Sequence, residues 1–160
     1  MIVRQATKKD LDSITTTEQV CFPPAEAATR ASFEKRLGVF PESFLLAEEN
    51  GKIIGFINGC VTDEQRIRDE MFKDISLHKP DGDYQAIFGL VVLPDYRRRG
   101  IAATLMNELI ALTRARGKRG LILTCKESLV DYYGTFGYEN QGVSGSTHGG
   151  AVWYDMILRL

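Results

Sequence analysis

The segment from Tyr84 to Cys125 limits the fold more than any other part of the chain. "YQAIFGLVVLP" reads as a long apolar strand over residues 84–93. Its internal Gly89 marks a bulge or a close backbone approach. "GIAATLMNELIALTRARG" comes next, with Ile101, Leu105, Leu109 and Leu112 in one stripe at helical spacing and Gly117 past its end. "RGLILTC" is then a second buried strand, over residues 119–125. Strand, helix and strand in that order make a βαβ unit, with a right-handed crossover and two parallel strands. Ligands of open α/β sheets tend to bind at the carboxyl ends of such strands.

The remaining segments fit round this unit. "MIVRQAT" is a first strand. "KKDLDSITTTEQVCF" has Leu11, Ile14 and Val20 near helical spacing, with Thr7 or Asp10 as its cap. "PPAEAATRASFEKRLG" reads as a second helix, with prolines at its mouth and Gly38 past its end. "SFLLAEENGKIIGFINGCVTD" holds two apolar runs around the hairpin signal "ENGK". "EQRIRDEMFKDISLHKPDGD" is polar and turn-rich, an insertion or flexible loop with room for a short helix. "SLVDYYGTFG" is a short helix ended by Gly137. "YENQGVS" and "GAVWYDMILRL" are final strands around the glycine-rich loop "GSTHGG". The order β-α-α-β-β-β-α-β-α-β-β predicts one α/β domain over residues 1–160, a mixed sheet with helices on its faces.

Composition narrows the function. The 160 residues suffice for one ordinary core, with 44% hydrophobic and 26% charged residues. A net charge of -1 argues against a general nucleic-acid binder. There is no apolar stretch for a signal peptide and no run of about 18 apolar residues for a membrane span. Cys21, Cys60 and Cys125 show neither a zinc spacing nor a disulfide framework. The expectation is a reduced, cytoplasmic protein without a metal, and Cys125 reads as a small core residue.

"LPDYRRRGIAATLM" joins the strand to the helix. The backbone N–H groups of Arg98 to Ala103 have no partner inside the helix, because its first turn leaves its donors free. Together with the helix dipole they make an anion site. Gly100 has no side chain to block close approach, and Ala102 very little. Arg97, Arg98 and Arg99 then supply charge or grip a further phosphate, or else form a solvated turn.

"VVLPDYRRRGIAATLM" resembles the acetyl-CoA motif of the GNAT superfamily, V-x-P-x-[YF]-[QR]-x-x-G-[IV]-[GA]. The resemblance spans essentially the whole chain. "CKESLVDYYGTFGYE" and "CFPPAEAATRASFEKRL" are similar, more narrowly, to the arylalkylamine (serotonin-type) N-acetyltransferase branch. It implies a GNAT fold: a central mixed, mostly antiparallel sheet of about seven strands flanked by about four helices. It also implies acetyl transfer from acetyl-CoA to a primary amine, with no metal, by a monomer or homodimer. The pyrophosphate would rest on the N–H groups of Arg98, Arg99, Gly100, Ile101, Ala102 and Ala103. The pantetheine arm would pair as an extra strand with Leu90, Val91 and Val92. A backbone N–H near Leu90 would polarise the thioester carbonyl.

Such a transfer needs a neutral amine, donors for the oxyanion and a proton for the departing thiolate. It needs no enzyme nucleophile, so neither Cys125 nor Ser128 is promoted. The resemblance aligns Tyr133 with the family's thiolate-protonating tyrosine. A phenol has a pKa of about 10 against about 8.5 for a thiol, so the proton transfer costs roughly 2 kcal/mol. Serotonin-type enzymes relay the amine proton through paired histidines, and here Ala86 and Phe88 fill those positions. The relay is absent, which counts against serotonin itself as substrate. Glu26, just after "FPP", is the alternative carboxylate for the ammonium, and also an ordinary helix-start residue. His148 is an available base in the last loop, His78 reads as loop surface, and Phe22, Phe88 and Trp153 are wall or core aromatics. Peptide or protein N-acetylation and a non-catalytic acyl-CoA sensor remain as alternatives, with residues 63–83 deciding how open the acceptor site is.

Overall fold

The computed structural model describes residues 1–160. Along the chain run β1 (Ile2–Gln5), α1 (Leu11–Cys21), α2 (Arg30–Val39), β2 (Phe44–Glu49), β3 (Lys52–Asn58), β4 (Val61–Thr62) and α3 (Asp69–Lys73). Then come β5 (Tyr84–Ile87), β6 (Gly89–Val92), α4 (Ile101–Ala115), β7 (Gly120–Cys125), α5 (Val130–Gly134), β8 (Glu139–Val143) and β9 (Tyr154–Arg159). The chain divides into two compact units, residues 1–59 with 89–111, and residues 60–88 with 112–160. No helix is long and apolar enough to cross a membrane.

The first unit is an antiparallel sheet in the order β1-β2-β3-β6. The hairpin expected at "ENGK" forms between β2 and β3, with Glu49 opposite Lys52. Asn50 and Gly51 both take positive φ, 52° and 79°, as a two-residue hairpin turn requires. Phe33 of α2 meets Phe44 and Phe56 with ring centroids 6.0 and 5.7 Å apart, and all three are fully buried. Leu11 and Ile14 of α1 are also buried, whereas Val20 is 55% exposed and lies off the core stripe.

The α2 helix starts later than the sequence predicts. Pro24 disfavours helical backbone at Pro23, and the segment closes its own turn, with the Glu26 and Ala27 N–H groups donating to the Pro23 carbonyl. The helix waits for Thr29, whose Oγ1 accepts from the Ser32 N–H at 3.1 Å. Gly38 lies inside α2 rather than beyond it.

The second unit has the sheet order β4-β5-β7-β9-β8. The β5 and β7 strands are parallel, as the βαβ reading requires, and the other pairs are antiparallel. Gly120 is needed for close strand approach, since a Cβ there would fall 2.2 Å from the Leu158 carbonyl oxygen. The insertion contributes the short helix α3.

The strand expected over 84–93 is two strands. Residues 84–87 pair with β4 and β7 in one sheet, and residues 89–92 pair with β3 in the other. The ladder stops at Phe88, where the hydrogen-bonding partner changes. This break, with the short β4, produces nine strands in two sheets where seven in one were expected.

Candidate functional site

The approach to α4 is built by backbone conformation. Arg98 and Gly100 both adopt left-handed φ, 65° and 77°. An added Cβ on Gly100 would meet nothing within 4 Å, so the glycine is required by its φ and leaves open space beside the backbone. The first N–H of this helix to find a backbone acceptor is that of Thr104, which donates to the Gly100 carbonyl at 3.0 Å. The N–H groups of Ile101, Ala102 and Ala103 are therefore the helix's orphan donors. Ile101 is 5% exposed and roots the helix start in the core of its unit.

The three arginines do different things. The Arg97 Nε donates to the Val92 carbonyl at 3.0 Å. Arg99 lies over the Tyr96 ring at 5.0 Å and 3.6 Å from Glu49. Arg98 is exposed and makes neither kind of contact. A positive charge beyond the helix start is thus partly absorbed by the protein's own acceptors.

The β6 strand is the last in its sheet. The Leu93 N–H bonds to the Ile54 carbonyl, which identifies Leu93 and Val91 as the residues whose polar groups face β3. Those of Leu90 and Val92 face the other way. Of the stretch expected to receive an added strand, Leu90 and Val92 present the edge, and Val91 turns its groups inward. The Val92 carbonyl also accepts from the Cys21 thiol at 3.5 Å. Burial pushes that thiol's pKa up, against the opposing pull of Arg97.

Tyr133 sits half-buried on α5, its ring 5.3 Å from Tyr132 and 6.0 Å from Tyr138. Burial, and then Cys125 and Tyr132, raise its pKa well above the ordinary phenol value. The Cys125 thiol is pushed up to about 11 by burial alone. Burial thus favours the neutral, protonated form of both side chains.

Glu26 is half-buried on the α1–α2 connection, outside both helices, so it is not a first-turn helix residue. Beside it, the buried Glu18 of α1 holds that connection by accepting from the Ala28 N–H at 2.8 Å. Nothing in the sequence separates Glu18 from an exposed helical glutamate. The His78 Nδ1 accepts from the Val61 N–H at 3.0 Å, a structural role. Phe22 is half-buried at the end of α1. Ala86 is fully buried in β5.

His148 and Trp153 belong to a cluster of half-buried rings. Phe72 of α3 stacks on His148 with centroids 5.5 Å apart and 9° between planes. It also meets Phe88 at 4.7 Å. Trp153 lies 6.1 Å from His148 and donates its Nε1–H to the His148 carbonyl at 2.8 Å. Phe72 and the Asp69 that anchors this segment carry no signal in a polar, turn-rich stretch.

Comparison with known proteins gives these features a context. The profile of the Acetyltransferase (GNAT) family matches residues 11–138. YhcX of Bacillus subtilis (strain 168), named a probable hydrolase, is 31% identical over 130 residues, covering 77% of this chain and 25% of YhcX. Serotonin N-acetyltransferase of Mesocricetus auratus is 28% identical over 125 residues, covering 78% of this chain and 59% of that enzyme. The chain thus spans between a quarter and three fifths of these relatives. Among solved structures, the GphF GNAT-like decarboxylase in complex with isobutyryl-CoA superposes with a TM-score of 0.85 at 19% identity, over 99% of each chain. At that identity the match speaks for architecture alone.

Proposed function

Since the chain belongs to the Acetyltransferase (GNAT) family, we propose that it transfers an acetyl group from acetyl-CoA to a primary amine, a small arylalkylamine. The observation that carries this reading is the array of outward backbone donors at α4, opened by the left-handed Arg98 and Gly100. Donors of this kind hold a pyrophosphate without any side chain. Arg98 adds its charge from outside the array, together with Arg97 and Arg99 where these exchange their internal acceptors for phosphate. The Leu90 and Val92 edge takes the pantetheine amides in the manner of an added strand. Acetyl-CoA supplies the activated acyl group, and every other task falls to the chain.

The Leu90 N–H donates to the thioester carbonyl oxygen, where negative charge grows during attack. Glu26 accepts the first proton of the incoming amine, whose nitrogen then bonds to the acetyl carbon as the C–S bond breaks. Tyr133 gives its phenolic proton to the departing sulfur and regains one from the second proton that the new amide nitrogen releases; its raised pKa keeps the phenol protonated beforehand. No group of the protein is acylated. The similarity to serotonin N-acetyltransferase supports the arylalkylamine class, while Ala86 and Phe88 speak against a copy of its histidine relay.

The test is Tyr133→Phe, assayed by thiol release with a panel of arylalkylamines, polyamines and N-terminal peptides. Loss of a proton donor predicts a fall in kcat of about a hundredfold or more, with acetyl-CoA affinity held within about twofold. Equal kcat in the variant would remove Tyr133 from the reaction. Tight acetyl-CoA binding with no turnover of any acceptor would leave a sensor.

A further inference from the structure

Residues 63–83 are anchored over one face of the second sheet. The Asp69 carboxylate accepts from the Ser146 hydroxyl and from the Thr147 N–H, tying α3 to the loop before β9. That tie brings Phe72 onto His148 and Phe88. Ile87 pairs with Leu123 where the β5–β7 ladder ends, Phe88 follows directly, and the next residue of β7, Thr124, pairs with Asp155. Trp153, just before β9, joins the cluster through its ring contact and hydrogen bond with His148.

This cluster differs from the aromatic core of the first unit. Phe33, Phe44 and Phe56 are sealed at 0% exposure. Phe72, Phe88, His148 and Trp153 are each only half-buried, so the wall keeps an open side. A charged group also lies beside it. The Asp155 side chain is 5% exposed, with Oδ2 3.8 Å from the Arg66 Nη1. Its Oδ1 is buried and has no hydrogen-bond partner. An aromatic surface open on one side over an under-satisfied carboxylate suits a flat ring bearing a cation.

We infer that Phe72, Phe88, His148 and Trp153 form the wall that selects the acceptor, and that its occupant is an arylalkylammonium ion, its ring on the Phe72–His148 stack and its charge favoured by Asp155. The inference rests on the acetyltransferase reading for the chemistry after binding. It assigns the insertion to specificity: Phe72 touches the ring, and Asp69 positions Phe72.

Trp153 is the one tryptophan of the chain, so its emission reports on the wall directly. The experiment titrates the protein, with and without acetyl-CoA, with phenethylamine, hexylamine and 2-phenylethanol. Thiol release is measured in parallel. Phenethylamine should change the emission saturably. Hexylamine, lacking the ring, and 2-phenylethanol, lacking the charge, should each bind roughly tenfold more weakly. Phe72→Ala should weaken phenethylamine by roughly tenfold, and Phe72→Tyr should hold it within about twofold. Asp69→Asn should raise the KM for phenethylamine and spare the KM for acetyl-CoA. Unchanged emission on adding phenethylamine overturns the proposal. So does a folded Phe72→Ala protein that binds phenethylamine as wild type does, even while it still transfers acetyl groups. A saturable emission change without acetyl transfer to any amine would keep the wall and remove the acetyltransferase reading.

Discussion

Asp10 accepts from both terminal nitrogens of Arg4, at 2.9 and 2.8 Å, and from the Thr7 N–H at 2.8 Å. These bonds, Arg4 first, lower its pKa below the ordinary carboxylate value. A lowered folded pKa means stability that is present above the unfolded value near 3.9 and lost as pH falls through the folded one. Asp10→Asn should therefore cost about 2 kcal/mol at pH 7 and flatten the acid limb of a urea-denaturation series taken from pH 7 to pH 2. Asp155 has the opposite sign. Burial raises its pKa, so folding favours the protonated carboxyl, and stability falls as pH rises from the unfolded to the folded value. Asp155→Asn is expected to gain on the order of 1 kcal/mol at pH 7, in the same denaturation assay. Asp10 is legible in the sequence because capping acts over a few residues. Asp155 is not, because its burial comes from the packing of the sheet and its polar neighbours, Arg66 and Ser144, come from other parts of the chain.

Among the elements, α4 is the most readable, since an apolar stripe at helical spacing needs no knowledge of partners. The α2 start and the break at Phe88 are not readable in that way. One depends on whether Thr29 or the prolines cap better, the other on which strand each half of an apolar run finds. Glycines test the same distinction. Gly38 lies within α2 at an ordinary φ, and an added Cβ there would meet nothing within 4 Å. Gly38→Ala should stabilise by roughly 0.5–1 kcal/mol, seen as a higher melting temperature. Gly100 has equal space but a φ of 77°. Gly100→Ala should cost about 1–2 kcal/mol, or relax the turn and misdirect the donors of α4. Calorimetry should then show acetyl-CoA binding weakened by roughly tenfold or more, with Gly38→Ala unchanged in that respect.

For the molecule as a whole, each compact unit is assembled from two separate stretches of chain. A linear reading recovers the class of fold, because class is set by the order of periods along the chain. It picks out the stretch proposed to hold acetyl-CoA because that stretch is continuous, residues 90–103. It cannot recover the aromatic wall, whose members at 72, 88, 148 and 153 meet only through the strand order β5-β7-β9 and the Asp69 tie. Hydrogen exchange separates these two kinds of site. A ligand that binds the native state protects the amides it orders. Acetyl-CoA alone should slow exchange in the segment 90–104, which contains the orphan N–H groups of Ile101, Ala102 and Ala103. Phenethylamine alone should slow it in 69–73 and 144–153, where ordering of the Phe72–His148 stack tightens α3 against its loop. In Asp69→Asn the second pattern should fade while the first persists. If phenethylamine instead protected only the α1–α2 connection around Glu26, acceptor recognition would belong to that segment, and residues 63–83 would be no more than a cover for the sheet.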